Sequence, residues 1–449
     1  MAITATRDVV VAPPSPNSPT LTTSKGASRA FPWVVFVLTF GLLLSDYMSR
    51  QVLSAVFPFL KAEWALTDTQ LGSLTSAVAL AVGLLAIPLS VLGDRFGRVK
   101  AIVAMAGIWS LATLGSALAA NYEQMMLSRV LIGVGEAAYG SVGLAVVLAV
   151  FPATRRASLT GAFMAGGLFG SVLGMALGGT IAVQLGWRWS FAVMAIFGLV
   201  LAVLYRALIS DKLLDAHRHA DSVAPVAAGQ PRAKLSSLFS TPAVLFAYIG
   251  SGLQLFVAGS LYAWLPSYLN RTYGMAPDKA AGVAAVFILV MGVGMVVCGA
   301  VTDRLTRVVP IRKWTTAIVY AAMSLVFVGA AFAAAPGPVQ LLLLAVGGFF
   351  AAGTTGPAGA MVANLTPESI RATAFGTLTF ANNILGLAAG PFVVGILADK
   401  LGLDVALKLV PLVSVLTIVV LVAGRRAYPS SLRKVAPAEV VPSHPGTSR

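Results

Sequence analysis

The chain has 449 residues, of which 58% are hydrophobic and only 10% are charged, and its mean hydropathy is +0.87. Soluble domains carry roughly 25% charged residues, so this composition excludes an ordinary soluble protein and indicates a membrane protein. The single cysteine, Cys298, excludes an internal disulfide framework and a paired-cysteine metal site. Neither an HExxH motif nor a GxxxxGK[ST] motif occurs, so we expect no metal and no cofactor.

Hydrophobic stretches long enough to cross a bilayer recur along the chain and predict twelve transmembrane helices. Residues 1–30 are rich in Pro, Ser and Thr, which is typical of a disordered tail. The apolar runs lie at about 32–58, 68–92, 101–119, 125–150, 158–183, 189–209, 242–268, 280–301, 314–334, 338–363, 372–396 and 404–424. They predict a six-helix bundle over 31–209, a polar linker over 210–241, a second six-helix bundle over 242–425 and a tail over 426–449.

The distribution of Lys and Arg predicts the orientation of the chain in the membrane. If the N-terminus is cytoplasmic, 23 of the 31 Lys and Arg residues lie on the cytoplasmic side, six lie on the other side and two lie within spans. By the positive-inside rule, both termini are cytoplasmic, as in an inner or plasma membrane. The net charge of +15 is then explained by topology, and we do not expect a nucleic-acid partner.

Two loop motifs recur in the two halves in the same order. Asp94-Arg95 follows the second run and Asp303-Arg304 follows the eighth, while Pro152 follows the fourth run and Pro367 follows the tenth. Such a repeat predicts two pseudo-symmetric bundles that rock about a central site. A basic turn between two membrane helices is the alternative explanation.

These loops resemble those of the major facilitator superfamily, over about residues 31–425. After the second run, the family pattern is matched by Asp94, Arg95, Gly97, Arg98 and Lys100, with Ser90 in place of the first glycine. After the eighth run it is matched by Gly299, Asp303, Arg304 and Arg307, with Thr306 in place of the inner glycine. The resemblance implies that these loops are gates, with Asp94 capping a neighbouring helix end and locking the outward-open state. A carboxylate at a helix N-terminus is stabilised by the dipole and by unpaired amides.

Four ionisable residues fall inside predicted spans: Asp46, Arg50, Arg129 and Glu136. A charge within the membrane is costly and points to function. The i,i+4 and i,i+7 spacings place each pair on one helix face. We expect both acids near mid-depth and both arginines above them, in one network of zero net charge. Glu136 or Asp46 would carry a coupling proton, and Arg129 could anchor a substrate anion. A purely structural ion pair is the alternative.

The string SRVLIGVGEAAYGS around Arg129 and Glu136 resembles the Spinster-like branch, including Tyr139. That branch is linked to the export of lysolipids and sphingolipid phosphates, and the resemblance implies proton coupling. The anion–cation symporter branch has a similar string and carries organic acids such as sugar acids. Span one departs from both, because Ser49 occupies the position of the acid in their Tyr-x-Asp-Arg pattern and Asp46 lies three residues earlier.

Polar and aromatic residues in the second half are candidates for the cavity lining. They are Gln254, Tyr262, Trp264, Asn382 and Asn383, since buried amides generally find partners. In span five, Gly166, Gly170, Gly174 and Gly178 recur every four residues, which favours close helix packing over a hinge.

The sequence therefore predicts a monomeric secondary transporter of twelve helices that moves a small or amphiphilic, anionic solute by alternating access with protons. A lysolipid-like substrate is favoured slightly over an organic acid. A channel is the rival from another class. An enzyme is not expected, because the predicted spans contain no histidine.

Overall fold

The structure is a computed structural model that describes residues 30–217, 238–239, 241–307, 309–367 and 370–435. The side chains of 91–96, 153, 157, 372 and 435 are outside this description. Within these ranges every regular element is helical, and twelve helical segments are long and apolar enough to cross a membrane. The predicted tail 1–30, most of the linker 210–241 and the end of the tail 426–449 lie outside the described residues, apart from Ala30.

The first six spans are formed by seven helices. Span four is interrupted and therefore counts as two helices, α4 and α5. A short helix, α8, follows span six. The bounds are α1 Phe31–Trp64, α2 Asp68–Phe96, α3 Arg98–Leu118, α4 Tyr122–Glu136, α5 Tyr139–Val150, α6 Arg156–Leu185, α7 Trp187–Leu208 and α8 Asp211–Ala216.

The second six spans contain three interruptions. Span ten divides into α12 and α13, span eleven passes through a π-helix at Asn382–Ala388, and span twelve divides into α16 and α17. The bounds are α9 Pro242–Tyr273, α10 Pro277–Thr306, α11 Arg312–Ala333, α12 Pro338–Ala351, α13 Thr355–Leu365, α14 Arg371–Ala381, α15 Ala389–Leu401, α16 Leu403–Leu409 and α17 Leu412–Val435.

The interruption of span four recurs in span ten, its counterpart in the second half, which confirms the predicted pseudo-symmetry. Span four breaks after α4 at Ala137 and span ten breaks after α12 at Ala352. These positions are 215 residues apart, the same separation as Pro152 and Pro367. The breaks in the helices thus repeat with the loop motifs. The fold is that of twelve helices in two six-helix bundles.

Local sequence explains where several helices begin and turn. Thr67 and Gln70 form a capping box at the start of α2, with each side chain accepting from the other's backbone N–H. The tight turns from α6 to α7 and from α15 to α16 pass through Gly186 and Gly402, whose φ angles are +95° and +83°. Only glycine adopts such angles without strain.

The glycine repeat of span five lies against α1, which confirms the packing interpretation. A Cβ added to Gly174 would lie 2.6 Å from the Cα of Met48, and one added to Gly178 would lie 2.8 Å from Cγ2 of Val52. A Cβ on Gly170 would collide with the carbonyl oxygen of Leu44. The absence of side chains along α6 therefore lets the two backbones approach closely.

Two ends of the molecule are distinguished by their loops. We call the end where α1 finishes and α2 begins the loop-1 face, and the end where α2 finishes and α3 begins the loop-2 face. At the loop-2 face the structure extends the predicted last span, because α17 continues through Arg425 to Val435. Tyr428 explains part of this extension, since it is buried against Trp314 of α11.

Candidate functional site

Three of the four predicted intramembrane charges meet between α1 and α4. The Nε atom of Arg50 lies 3.1 Å from Oδ1 of Asp46 and 2.7 Å from Oε2 of Glu136. Asp46 and Glu136 are each only 2% exposed. Glu136 reaches this position at the last residue of α4, where span four is interrupted. Two buried carboxyl groups therefore share one guanidinium.

Arg129 lies outside this ion-pair cluster. Its Nη1 donates to the carbonyl of Ser49 at 3.3 Å and its Nη2 donates to the hydroxyl of Ser116 at 3.2 Å. The guanidinium also stacks over the ring of Phe191, 4.9 Å from its centroid. No carboxylate in the described part of the chain lies within salt-bridge distance of it. Arg50 is thus the salt-bridge partner of both acids, while Arg129 is held by a carbonyl, a hydroxyl and an aromatic ring; that all four charges act as one network stays a prediction.

A cavity of about 550 Å³ lies beside these charges, between the two bundles. Arg50 and Arg129 both line it, as do Tyr47 and Tyr262, one from each bundle. Its lining comes from α1, α2, α4 and α6 of the first bundle and from α9, α10, α13, the π-helix and α15 of the second. A solute in this cavity would therefore contact both halves of the protein.

The lining combines polar and apolar side chains. Sequence reasoning missed most of these residues, since hydroxyl, amide and methionine side chains occur throughout the spans. Besides Arg50 and Arg129, the polar members include Gln51, Ser54 and Thr75, and the apolar members include Met164, Leu168, Ile288 and Met295. Of these lining residues, Gln51 is the one that the sequence could have indicated, because it directly follows Arg50.

Several candidates for the cavity lining have other surroundings. Tyr139 is buried and donates to the carbonyl of Thr39 at 2.6 Å. Trp264 is fully buried and donates through Nε1 to the carbonyl of Pro391 at 3.0 Å, so it joins α9 to α15. The backbone carbonyl of Ser49 accepts a hydrogen bond from Arg129. These three residues fix helix packing around the cavity and are not among its lining residues.

The three amides of the second half are also absent from the cavity lining. Gln254 is fully buried in α9, and neither polar atom of its side chain has a hydrogen-bond partner in the described structure. Asn383 donates to the carbonyl of Thr379 at 2.9 Å. Asn382 and Asn383 open the π-helix of span eleven. Their contact with a substrate stays a prediction.

The predicted gating loops are described only in part. The side chains of Asp94 and Arg95 lie outside the described residues, whereas Arg98 is half-buried at the start of α3. In the second half Asp303, Arg304 and Arg307 are exposed at the end of α10. The N-terminus of α3 is capped by Asp211, which was not predicted. Its Oδ1 accepts a hydrogen bond from the backbone N–H of Val99 at 3.2 Å.

Comparison with known proteins relates the chain to transporters. It is 25% identical to the hexuronate transporter of Bacillus subtilis (strain 168) over 379 residues, which cover 83% of this chain and 88% of that protein. It is 27% identical to the D-galactonate transporter of Escherichia coli O6:H1, over 86% of this chain and 93% of the relative. It is also 27% identical to protein spinster homolog 1 of Bos taurus, over 83% and 74% of the two chains.

The fold is similar to that of a crystallised bacterial homolog of the human lysosomal transporter Spinster, in an inward-facing and occupied conformation. The TM-score is 0.79 at 18% sequence identity, covering 90% of this chain and 99% of that one. The profile of the Major Facilitator Superfamily matches residues 39–336. With the twelve spans and the cavity between two bundles, this match shows that the chain is a multi-pass membrane transporter of the Major Facilitator Superfamily.

Proposed function

We propose that this transporter moves a monoanionic amphiphile by alternating access and couples that movement to a proton. One observation carries the proposal: two carboxyl groups share Arg50 beside a cavity that also contains Arg129, which has no carboxylate partner among the described residues. The distribution of Lys and Arg supports an orientation with the loop-1 face outside and both termini in the cytoplasm. Because the cavity lies within one chain, we take the monomer to be the working unit.

Charge balance suggests how a proton and an anion are linked. With both carboxyl groups ionised, Asp46, Glu136, Arg50 and Arg129 sum to zero net charge. A proton on either acid leaves the site with one positive charge, and an anion near Arg129 then restores neutrality. Uncompensated charge is costly in a dry interior. Each ligand should therefore favour binding of the other, which is the thermodynamic requirement for coupling.

The lining favours an amphiphile over a fully hydroxylated acid. An acidic head at Arg129 could use Gln51 and Thr75 for further hydrogen bonds. The apolar part of the cavity, around Met164, Leu168 and Met295, would bury an acyl or similar chain. The similarity to spinster homolog 1 supports a lysolipid-like substrate.

A sugar acid or other organic acid is the second candidate, with the same role for Arg129. It is favoured by the similarity to the hexuronate and D-galactonate transporters, each of which aligns over more than four-fifths of its own length. A channel is disfavoured by the loop-1 face, where α2 and α15 are in direct contact above the cavity.

The decisive experiment measures ligand binding to the purified protein in detergent. Lysophosphatidylglycerol and galacturonate are compared by the rise in melting temperature and by titration, at acidic and at alkaline pH. We expect the lysolipid to stabilise the protein more, with tighter binding at acidic pH and proton uptake on binding. Stronger stabilisation by galacturonate would transfer the proposal to organic acids. Binding that is independent of pH for both ligands would refute proton coupling.

A further inference from the structure

The loop-1 face holds a charge cluster that joins the two bundles. Asp68 begins α2 in the first bundle, and Arg271 lies near the end of α9 in the second. The guanidinium of Arg271 donates to both carboxylate oxygens of Asp68, with N–O distances of 2.7 Å for each. Lys61 of α1 donates to the same carboxylate at 2.6 Å. A bidentate arginine–carboxylate pair has a fixed geometry, so it constrains the position of α9 relative to α2.

A second carboxylate crosses the interface at the same place. Asp399 of α15 accepts from the backbone N–H groups of Asp68 and Thr69 at 2.7 and 2.9 Å, and from the hydroxyl of Thr69 at 2.5 Å. The first N–H groups of a helix have no partner within the helix, and its dipole favours an anion there. The second bundle thus caps a helix of the first.

The contact between α2 and α15 continues from this cap toward the cavity. A Cβ on Gly395 would lie 2.5 Å from the carbonyl oxygen of Asp68, and a Cβ on Gly72 would collide with the carbonyl oxygen of Pro391. Next along α2, the hydroxyl of Ser76 donates to the carbonyl of Ala388 at 2.6 Å. Pro391 itself lines the cavity. The contact between the bundles therefore runs from the charge cluster to the wall of the cavity.

Other ion pairs near this face stay within one bundle. Glu63 pairs with Arg188 at 2.8 Å in the first bundle, and Asp404 pairs with Lys408 at 2.6 Å in the second. The side chains of both pairs are 41–47% exposed, whereas the Asp68 side chain is 5% exposed. The pair between Asp68 and Arg271, in contrast, joins the two bundles. The two pairs within a bundle can persist when the bundles move. The bond between Asp68 and Arg271 has to break if the bundles separate at this face.

We propose that Asp68, Arg271 and Asp399 form the outer latch of the transport cycle: their bonds hold the loop-1 face shut, and this face opens to the cavity when they part. The latch rests on the proposed alternating-access function and orientation. Asp399 is a positioning residue in it, because it acts through the N-terminus of α2 rather than on a solute.

The test measures access to the cavity from the loop-1 side. Cys298 is replaced by alanine, and Ser54, which lines the cavity and is 2% exposed, is replaced by cysteine. Bacterial cells that express the full chain are treated with a membrane-impermeant maleimide, and the labelling rate at position 54 is followed. We expect Asp68→Asn, Arg271→Gln and Asp399→Asn each to raise this rate at least fivefold. Glu63→Gln and Asp404→Asn, the matched controls, should leave it within twofold of the parent.

Two further measurements keep the outcome decisive. A cysteine in place of exposed Lys408 at the loop-1 face should label rapidly in the parent, and failure to label would refute the orientation on which the latch rests.

Should Asp68→Asn not fold, Asp399→Asn tests the latch alone, because it leaves the ion pair with Arg271 in place. An unchanged labelling rate in a folded Asp399→Asn protein would overturn its part in the latch. Increased labelling in a protein that binds neither lysolipid nor sugar acid would support the latch and refute the proposed substrates.

Discussion

Replacing Glu136 with glutamine tests the coupling mechanism most directly. The substitution removes one of the two carboxylates that share Arg50 and preserves the size of the side chain. Removing the sole partner of a buried charge costs about 3–5 kcal/mol. Arg50 keeps Asp46 at 3.1 Å, so we expect the loss of stability to be smaller and the variant to fold.

The electrostatic effect on anion binding can be worked from the helix geometry. Glu136 and Arg129 are seven residues apart in α4, a rise of about 10 Å along the axis. At an effective dielectric constant of about 20, one unit charge over that distance contributes about 1.6 kcal/mol. Neutralising Glu136 should thus strengthen the binding of an anion at Arg129 by about 15-fold.

The expected signature is a loss of pH dependence. In the wild-type protein, anion affinity should rise as the pH falls, because a proton neutralises one carboxyl group. In Glu136→Gln it should be high at alkaline pH and nearly constant. In proteoliposomes, accumulation driven by a pH gradient should be abolished while exchange of labelled for unlabelled substrate persists.

Glu63→Gln is the matched control, since Glu63 pairs with Arg188 in an exposed salt bridge away from the cavity lining. It should behave like the wild-type protein in both assays. Retained pH-driven accumulation in Glu136→Gln would refute the coupling role of this carboxyl group. An affinity that still follows pH as in the wild type would refute the charge-balance argument.

Three further substitutions test other parts of the molecule. Arg129→Lys keeps the positive charge but loses the planar donor fork, so uptake kinetics should show KM raised about tenfold, and an unchanged KM would contradict an anchoring role. Gly174→Ala should lower stability by about 1–3 kcal/mol, as overpacking does, because the added Cβ would lie 2.6 Å from the Cα of Met48; thermal unfolding is compared with Gly161→Ala in the same helix, where the added Cβ meets nothing within 4 Å. Asp94→Asn should slow exchange more than it weakens substrate binding, and a pure loss of affinity would place Asp94 in the binding site instead.

The fold could be predicted from the sequence because the membrane leaves few alternatives. Backbone groups in lipid must be satisfied within each segment, so every long apolar run becomes a helix. Ion pairing by Arg50 could be predicted for a related reason. Asp46 and Arg50 are one helical turn apart, and buried charges of opposite sign have few other partners in the spans.

Long-range partners could not be predicted in the same way. Asp68 and Arg271 are 203 residues apart and each reads as an ordinary charge at the end of a span. The cavity lining was equally hidden, because Thr75 and Met295 do not differ in type from residues that face lipid or protein. Trp264 was predicted to line the cavity because it is an aromatic residue in a span, whereas its indole N–H donates to the carbonyl of Pro391.

The π-helix of span eleven divides that span into two segments with separate helical phases. Its i→i+5 bonding accommodates extra residues that a regular α-helix would not hold. If the same seven residues, Asn382–Ala388, instead formed a regular α-helix, the extra residue would turn α15 by about 100° relative to α14. Pro391 and Asp399 would then face away from α2 although neither had been changed. A change that abolished the π-helix without shortening the chain would therefore act on contacts up to 17 residues away, counting from Asn382 to Asp399, and this short segment sets the angular alignment of everything that follows it in the span.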